Sequence, residues 1–93
     1  MFTWNKNNME FLLRDYNKDG KLDLYCINKN GKNNSTEVNI LSGASNFQQF
    51  IVKDINLHKT DDNYQFCAGI YGGYECLFEI KKNEILEIHI SVI

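Results

Sequence analysis

The feature that most constrains the fold of this chain is the alternation of apolar and polar residues in short runs. The clearest run is Leu86–Val92, in which Ile88 and Ile90 alternate with Glu87 and His89. A period of two places the apolar residues on one face of a β-sheet and the polar residues on the other. The 93-residue sequence has no proline, and none of its runs has convincing helical periodicity. The sequence therefore predicts an all-β fold.

Six further runs with weaker alternation bring the expected number of antiparallel strands to about seven. They are residues 9–14, 22–29, 36–41, 47–55, 64–70 and 74–81. Turn residues separate the runs. Gly31 and Gly43 are able to take a positive φ, and the pair Gly72 and Gly73 suits a two-residue hairpin turn. A chain of this length is expected to form a single domain, residues 1–93.

The chain also contains an internal repeat, in which three blocks recur in the same order. Residues 8–11 match 63–66, residues 24–30 match 77–83, and residues 37–40 match 87–90. A period of about 50 residues is typical of propeller blades and related arrays. We therefore expect two four-stranded-type repeats, at about residues 8–55 and 63–93. A compact β-sandwich is the alternative arrangement of the same strands.

One loop, residues 15–23, has the composition of a calcium site. Oxygen-bearing residues recur at positions 1, 3, 5 and 9, with a glycine at position 6 and a main-chain carbonyl at position 7: Asp15, Asn17, Asp19, Asp23, Gly20 and Lys21. Calcium takes six to eight oxygens, and the glycine permits the bend that turns them inward. The alternative is an unliganded turn, because Asp, Asn and Gly are common turn residues.

The residues after the loop distinguish it from an EF-hand, in which a helix follows and a bidentate Glu stands at position 12. Here position 12 is Cys26, and the β-branched and aromatic residues 22–27 predict a strand. We therefore expect a calcium loop between two β-strands, with weaker binding than in a cytosolic calcium sensor.

These residues resemble FG-GAP or VCBS repeats, which build integrin-type β-propellers and link the first two strands of a blade through D-x-N-x-D-G-x-x-D-L. The resemblance is closest over residues 11–50, where DYNKDGKLDLYCI and STEVNILSGASNFQ are similar to the repeats found beside catalytic domains in secreted microbial glycoside hydrolases and wall lysins. It implies one Ca²⁺ per chain. The ligands that it implies are Asp15, Asn17, Asp19, Lys21 through its carbonyl, and Asp23. In the second repeat Ile70, Gly72 and Cys76 replace ligand positions, so no second ion is expected.

The resemblance implies an extracellular binding module that is not an enzyme, acting as a carbohydrate-binding or cell-wall-binding accessory domain. One alternative is a self-assembling or adhesion subunit that associates through strand edges. A glycan-cleaving enzyme is the other, although no carboxylate pair has a fixed separation. Aromatic residues expected at strand ends or turns are candidates for stacking on sugar rings: Trp4, Tyr16, Tyr25, Tyr64, Tyr71 and Tyr74.

Charge and hydropathy exclude two classes of partner. The net charge is −2 and the basic residues form no run, so we expect no nucleic acid partner. No apolar stretch approaches the roughly 18 residues of a membrane span. The first residues lack the charged and apolar regions of a signal peptide, which taken alone favours a cytoplasmic or truncated protein. With the resemblance, we expect a fragment or the mature form of a secreted protein.

Modification sites and other chemistry are less constrained by the sequence. Asn33 and Asn34 begin overlapping glycosylation sequons. The three cysteines allow a Cys26–Cys67 bridge, a Cys67–Cys76 bridge or three free thiols. Neither of the two histidines has a partner at zinc spacing, so both are expected to be solvated.

Overall fold

The computed structural model describes residues 9–31, 34–61, 63–82 and 86–93, of which Leu86 is described in its main chain only. These residues form seven strands and no helix. The strands are β1 (Met9–Arg14), β2 (Asp23–Asn28), β3 (Thr36–Leu41), β4 (Phe50–Leu57), β5 (Tyr64–Tyr71), β6 (Tyr74–Lys82) and β7 (Leu86–Val92). The prediction of an all-β fold with about seven antiparallel strands is confirmed.

The strands form two sheets in which sequence neighbours are also spatial neighbours. One sheet has the order β1-β2-β3-β4 and the other has the order β5-β6-β7. The chain divides into two compact units, Met1–Lys59 and Thr60–Ile93, which we call unit 1 and unit 2. Each unit contains one sheet. Within the described residues, the structure has no helix that is long and apolar enough to cross a membrane.

The buried face of unit 1 follows from the alternation of its central strands. Tyr25 and Ile27 of β2 lie opposite Ile40 and Val38 of β3, and all four side chains are fully buried. Burying a large apolar side chain contributes about 1.5–3 kcal/mol. The central strand pair therefore supplies much of the stability of this sheet.

The edge strand β4 is irregular. The single β3 residue Asn39 is opposed by two residues of β4, Lys53 and Asp54, and a second register shift follows at Ile40 and Leu41. Asp54 has a φ of 60°, and its N–H donates a hydrogen bond of 2.8 Å to Asn39 Oδ1. These are β-bulges, which bend a strand and interrupt its ladder.

The start of β4 differs from the sequence prediction, which placed it at residue 47. Asn46 and Phe47 have φ values of 58° and 61°, two consecutive left-handed residues that lie outside the range of a regular strand. The Ser45 hydroxyl accepts hydrogen bonds from the N–H groups of Gln48 and Gln49, at 3.2 and 3.0 Å. The segment before Phe50 is therefore a hydrogen-bonded turn.

The hairpin turn of unit 2 has the geometry that its sequence predicts. Tyr71 pairs with Tyr74, and the two glycines between them have φ values of 61° and 84°. Two consecutive positive φ angles are typical of a type I′ turn, which matches the twist of the flanking strands. Gly31, in contrast, has no positive φ; a Cβ at this position would lie 2.8 Å from Glu37 Cβ. Its role is close packing.

Unit 2 leaves part of one face of its sheet exposed, along β7, among the described residues. Phe66 and Leu77 are fully buried. On the opposite face Ile88, Ile90 and Val92 of β7 are 57%, 48% and 66% exposed. The alternation predicted their common face correctly, but that face is not part of the core.

Candidate metal centre

The loop at residues 15–22 connects the first two strands of unit 1. Arg14 at the end of β1 pairs with Asp23 at the start of β2. Asp15 therefore follows the last residue of one strand, and Asp23 is the first residue of the next. The sheet fixes both ends of the loop, and both ends carry a carboxylate.

Three carboxylates meet in this loop. Asp15, Asp19 and Asp23 each offer a carboxylate oxygen, and these three atoms lie within 4.8 Å of one another. Their exposure differs, because Asp23 is fully buried, Asp15 is half-buried and Asp19 is exposed. One side of the cluster is therefore part of the protein interior and the other is open to solvent.

Main-chain hydrogen bonds hold the two outer carboxylates. Asp15 accepts from the N–H groups of Asp19 and Gly20 at 3.1 and 2.8 Å, and Asp19 Oδ1 accepts from the Lys21 N–H at 2.9 Å. Lys18 and Gly20 have φ values of 63° and 89°. The left-handed conformation at Gly20 is the sharp bend for which the sequence analysis required a glycine.

The third carboxylate, that of Asp23, accepts hydrogen bonds from two separate segments of the chain. Tyr16 N–H donates to Asp23 Oδ2 and Gly43 N–H donates to Asp23 Oδ1, both at 2.9 Å. Gly43 has no positive φ; instead, a Cβ at this position would lie 1.8 Å from the Leu22 carbonyl oxygen. The turn after β3 thus packs directly on the loop. This contact was not predictable from the sequence, because Asp23 and Gly43 are distant in sequence and only the register between β2 and β3 brings them together.

The Asn17 side chain extends the cluster. One terminal atom of its amide lies 3.2 Å from Asp19 Oδ1 and 3.3 Å from Asp15 Oδ1. With nitrogen in this place the amide donates hydrogen bonds to both carboxylates, and with oxygen in this place it adds another ligand atom. Asn17 therefore joins the same cluster. Lys21 lies beside it, with its N–H bonded to Asp19.

The donor set is of the kind that binds a hard cation such as calcium. Calcium–oxygen distances of about 2.3–2.6 Å place oxygens on opposite sides of the ion about 4.6–5.2 Å apart, and the three carboxylate oxygens lie within 4.8 Å of one another. Carboxylate and amide oxygens are the ligands that calcium prefers. Cys26, at the twelfth position, is on the sheet face opposite to Asp23, because successive residues of a strand alternate. It supplies no ligand.

The three cysteines are free thiols, which is one of the three alternatives that the sequence left open, and neither the Cys26–Cys67 nor the Cys67–Cys76 bridge is present. Cys67 pairs with Phe78 and Cys76 pairs with Gly69, which makes the two cysteines diagonal neighbours. Diagonal neighbours are about 7–8 Å apart, beyond the usual reach of a disulfide. In unit 1, burial raises the pKa of the Cys26 thiol from 9.0 to about 11.

The aromatic residues that are candidates for sugar contact differ in how exposed their side chains are. Tyr25 is fully buried, so its expected role at a strand end is wrong. Tyr16 packs edge-on against Tyr25 with ring centroids 6.2 Å apart, and Lys81 Nζ lies 5.8 Å from the Tyr64 ring centroid. Tyr71 and Tyr74 are more than half exposed. Trp4 lies outside the described residues.

The other candidate positions lie away from the loop or outside the described residues. Asn34 is exposed, whereas Asn33 is outside the described residues. His58 and His89 are exposed, and His89 Nε2 lies 3.9 Å from Glu87 Oε2. The described residues contain one carboxylate cluster of metal-binding size, and it is the loop of unit 1.

No protein-family model matches the chain. No curated protein and no solved structure matches it significantly either. On geometry alone, the loop and its two flanking strands form a β-hairpin whose loop brings three carboxylates together.

Proposed function

We propose that this chain is a calcium-stabilised β-repeat module of the FG-GAP or VCBS kind, which holds one Ca²⁺ in the loop at residues 15–23. Its role is binding rather than catalysis. The observation that supports the proposal is the convergence of the Asp15, Asp19 and Asp23 carboxylates within 4.8 Å. Asn17 and the Lys21 carbonyl complete the proposed ligand set, and water fills the remaining positions.

Charge repulsion gives the loop a reason to bind a cation. Two unit charges about 4–5 Å apart repel by about 1 kcal/mol in water and by about 4 kcal/mol at an effective dielectric constant of 20. Asp23 is fully buried, so the lower dielectric constant, and with it the larger repulsion, applies to this carboxylate. A divalent cation converts the repulsion among three carboxylates into attraction, and it thereby stabilises the hairpin.

The partner that we propose is a glycan or cell-wall polysaccharide outside the cell. Tyr71 and Tyr74 lie opposite each other beside the Gly72-Gly73 turn, and Tyr71 stacks on Phe78 with ring centroids 6.2 Å apart. Exposed, rigid aromatic rings of this kind suit stacking on sugar rings. Glycan-array binding that is lost in Tyr71→Ala, and retained in the exposed-aromatic control Phe11→Ala, is the expected result; no binding by the wild type would contradict the glycan assignment.

Equilibrium dialysis against millimolar calcium tests the metal proposal. We expect one bound calcium per chain for the wild type. The double variant Asp15→Asn, Asp19→Asn is expected to bind none, because it removes two charges while each side chain keeps one acceptor oxygen. Asp61→Asn is the matched control, since Asp61 is an exposed acid outside the loop. Absence of bound calcium in the wild type, or equal binding by the double variant, would refute the site.

A further inference from the structure

Strand β7 is an edge of the sheet in unit 2, since the order of that sheet is β5-β6-β7. Its inner edge pairs with β6 in unbroken register from Leu86 to Val92. No strand in the part of the chain that the structure describes pairs with its outer edge. An open edge presents a row of main-chain N–H and C=O groups that can accept a further strand.

The two C-terminal edge strands of the units differ in how this edge is protected. β4 carries two register shifts, the exposed charges of Lys53 and Asp54, and a left-handed φ at Asp54. Bulges and charges on an edge are the devices that discourage pairing with another chain. β7 has no register shift in its pairing with β6 and contains no lysine, proline or glycine. Its edge is therefore regular.

The side chains of β7 add an apolar surface to the open edge. Ile88, Ile90 and Val92 alternate along the strand, and each is about half exposed or more. In unit 1 the residues that match Ile88 and Ile90 in the repeat, Val38 and Ile40, are fully buried. An added strand would place new apolar neighbours beside the exposed residues.

The sequence of β7 identifies the occupant that fits this edge. Read from either end, the strand has nearly the same pattern about His89: apolar, polar, Ile, His, Ile, polar, apolar. When a second copy of the strand pairs antiparallel in full register, each apolar residue lies opposite another apolar residue. The same pairing also places Glu87 opposite a serine rather than another carboxylate. A two-fold interface requires this self-complementarity.

We propose that β7 pairs antiparallel with β7 of a second copy of this chain. In this pairing Ile88 lies opposite the partner's Ile90, Glu87 lies opposite the partner's Ser91, and His89 lies opposite the partner's His89. The two sheets of unit 2 then form one continuous six-stranded sheet. Cross-strand apolar pairs of this kind stabilise antiparallel sheets. The inference does not depend on the calcium site, which lies in unit 1.

The register predicts a specific charge-reversal experiment, because residue 89 lies opposite its own copy across the two-fold axis, while its neighbour on β6 is Glu79. Sedimentation velocity of the full chain over a range of concentrations is expected to show a monomer–dimer equilibrium. His89→Lys and His89→Glu should each raise the dimer dissociation constant about tenfold or more, because like charges then face each other across the axis. An equimolar mixture of the two variants should restore association, because Lys faces Glu in the mixed dimer.

Gln65→Lys is the matched control, since residue 65 is an exposed position on β5, the other edge of the same sheet. It should leave the dimer unchanged, and circular dichroism should show that all variants keep the β-sheet spectrum. A wild type that stays monomeric at every concentration would overturn the proposal and indicate that a segment of the same chain or a foreign peptide covers the edge. A dimer that the residue-89 variants leave intact, or a mixture that does not recover, would also overturn it.

Discussion

Each unit begins with a hairpin, and the two hairpins connect their strands with different chemistry. In unit 1 the loop at residues 15–22 joins β1 to β2, and its carboxylates converge. In unit 2 a two-residue turn joins β5 to β6, with φ values of 61° and 84° at its glycines. A turn built on glycine closes without a charged group. The difference teaches that both units keep the strands of the hairpin, and that only the connection in unit 1 brings carboxylates together.

The units also differ at their C-terminal ends. Unit 1 has a fourth strand, and the β3 residues Val38 and Ile40 are buried. Unit 2 has no fourth strand among the described residues, and the equivalent β7 residues Ile88 and Ile90 are exposed. The same alternation thus serves as a core in one unit and as a surface in the other, which is why we assign an interaction to β7.

Asp23→Ala is expected to have the largest effect on the unfolding free energy, and it tests how the hairpin of unit 1 differs from that of unit 2. This change leaves the N–H groups of Tyr16 and Gly43 without their carboxylate acceptor. Losing buried hydrogen bonds to a charged group should cost about 3 kcal/mol of unfolding free energy. Urea denaturation in chelator, which removes any contribution from calcium, measures this cost.

Asp19→Ala is the control for this prediction, because Asp19 belongs to the same loop but is exposed. Its change in unfolding free energy should be below about 1 kcal/mol, as for most surface substitutions. Equal effects of the two variants would show that the buried end of the loop has no special role, and the contrast with the glycine turn of unit 2 would fail.

A slightly smaller effect, on pH dependence, distinguishes the buried Cys26 of unit 1 from the exposed Cys67 of unit 2. Burial raises the pKa of Cys26 from 9.0 to about 11, so the folded state retains this proton when the unfolded state has lost it. The resulting stabilisation is complete below pH 9 and is lost as the pH rises through 11; its full amount is about 3 kcal/mol. Unfolding free energies of the wild type and Cys26→Ala, measured from pH 8 to pH 11, isolate this contribution from other groups.

The exposed Cys67 of unit 2 provides the internal reference for the same experiment. It should react with a thiol reagent in the folded protein at pH 8, whereas Cys26 should react only after unfolding. A difference between wild type and Cys26→Ala that stays constant with pH would contradict the burial of this thiol.

The strands and the loop were predictable from the sequence because both depend on local patterns. Alternation located all seven strands, and the spacing of oxygen-bearing residues located the loop. The contact between Gly43 and Asp23 was not predictable, since it depends on the register between β2 and β3. The bulge at Asp54 was missed for the same reason, because a side chain on the neighbouring strand, Asn39, holds it.

Burial was harder to predict than strand position. Tyr25 was expected at a strand end or turn, and it is fully buried at the centre of β2. Ile88 and Ile90 have the alternation of core residues, and they are exposed. Alternation indicates which residues share a face, but what covers that face depends on the arrangement of sheets rather than on the strand itself.

The most direct test of the calcium-stabilised loop is a thermal unfolding comparison of the wild type with the Asp15→Asn, Asp19→Asn variant, each in millimolar calcium and in chelator. A ligand that binds only the folded state raises the unfolding midpoint. We expect calcium to raise the midpoint of the wild type and not that of the variant. Identical midpoints of the wild type in calcium and in chelator would contradict the account, and the loop would then be a turn without a cation.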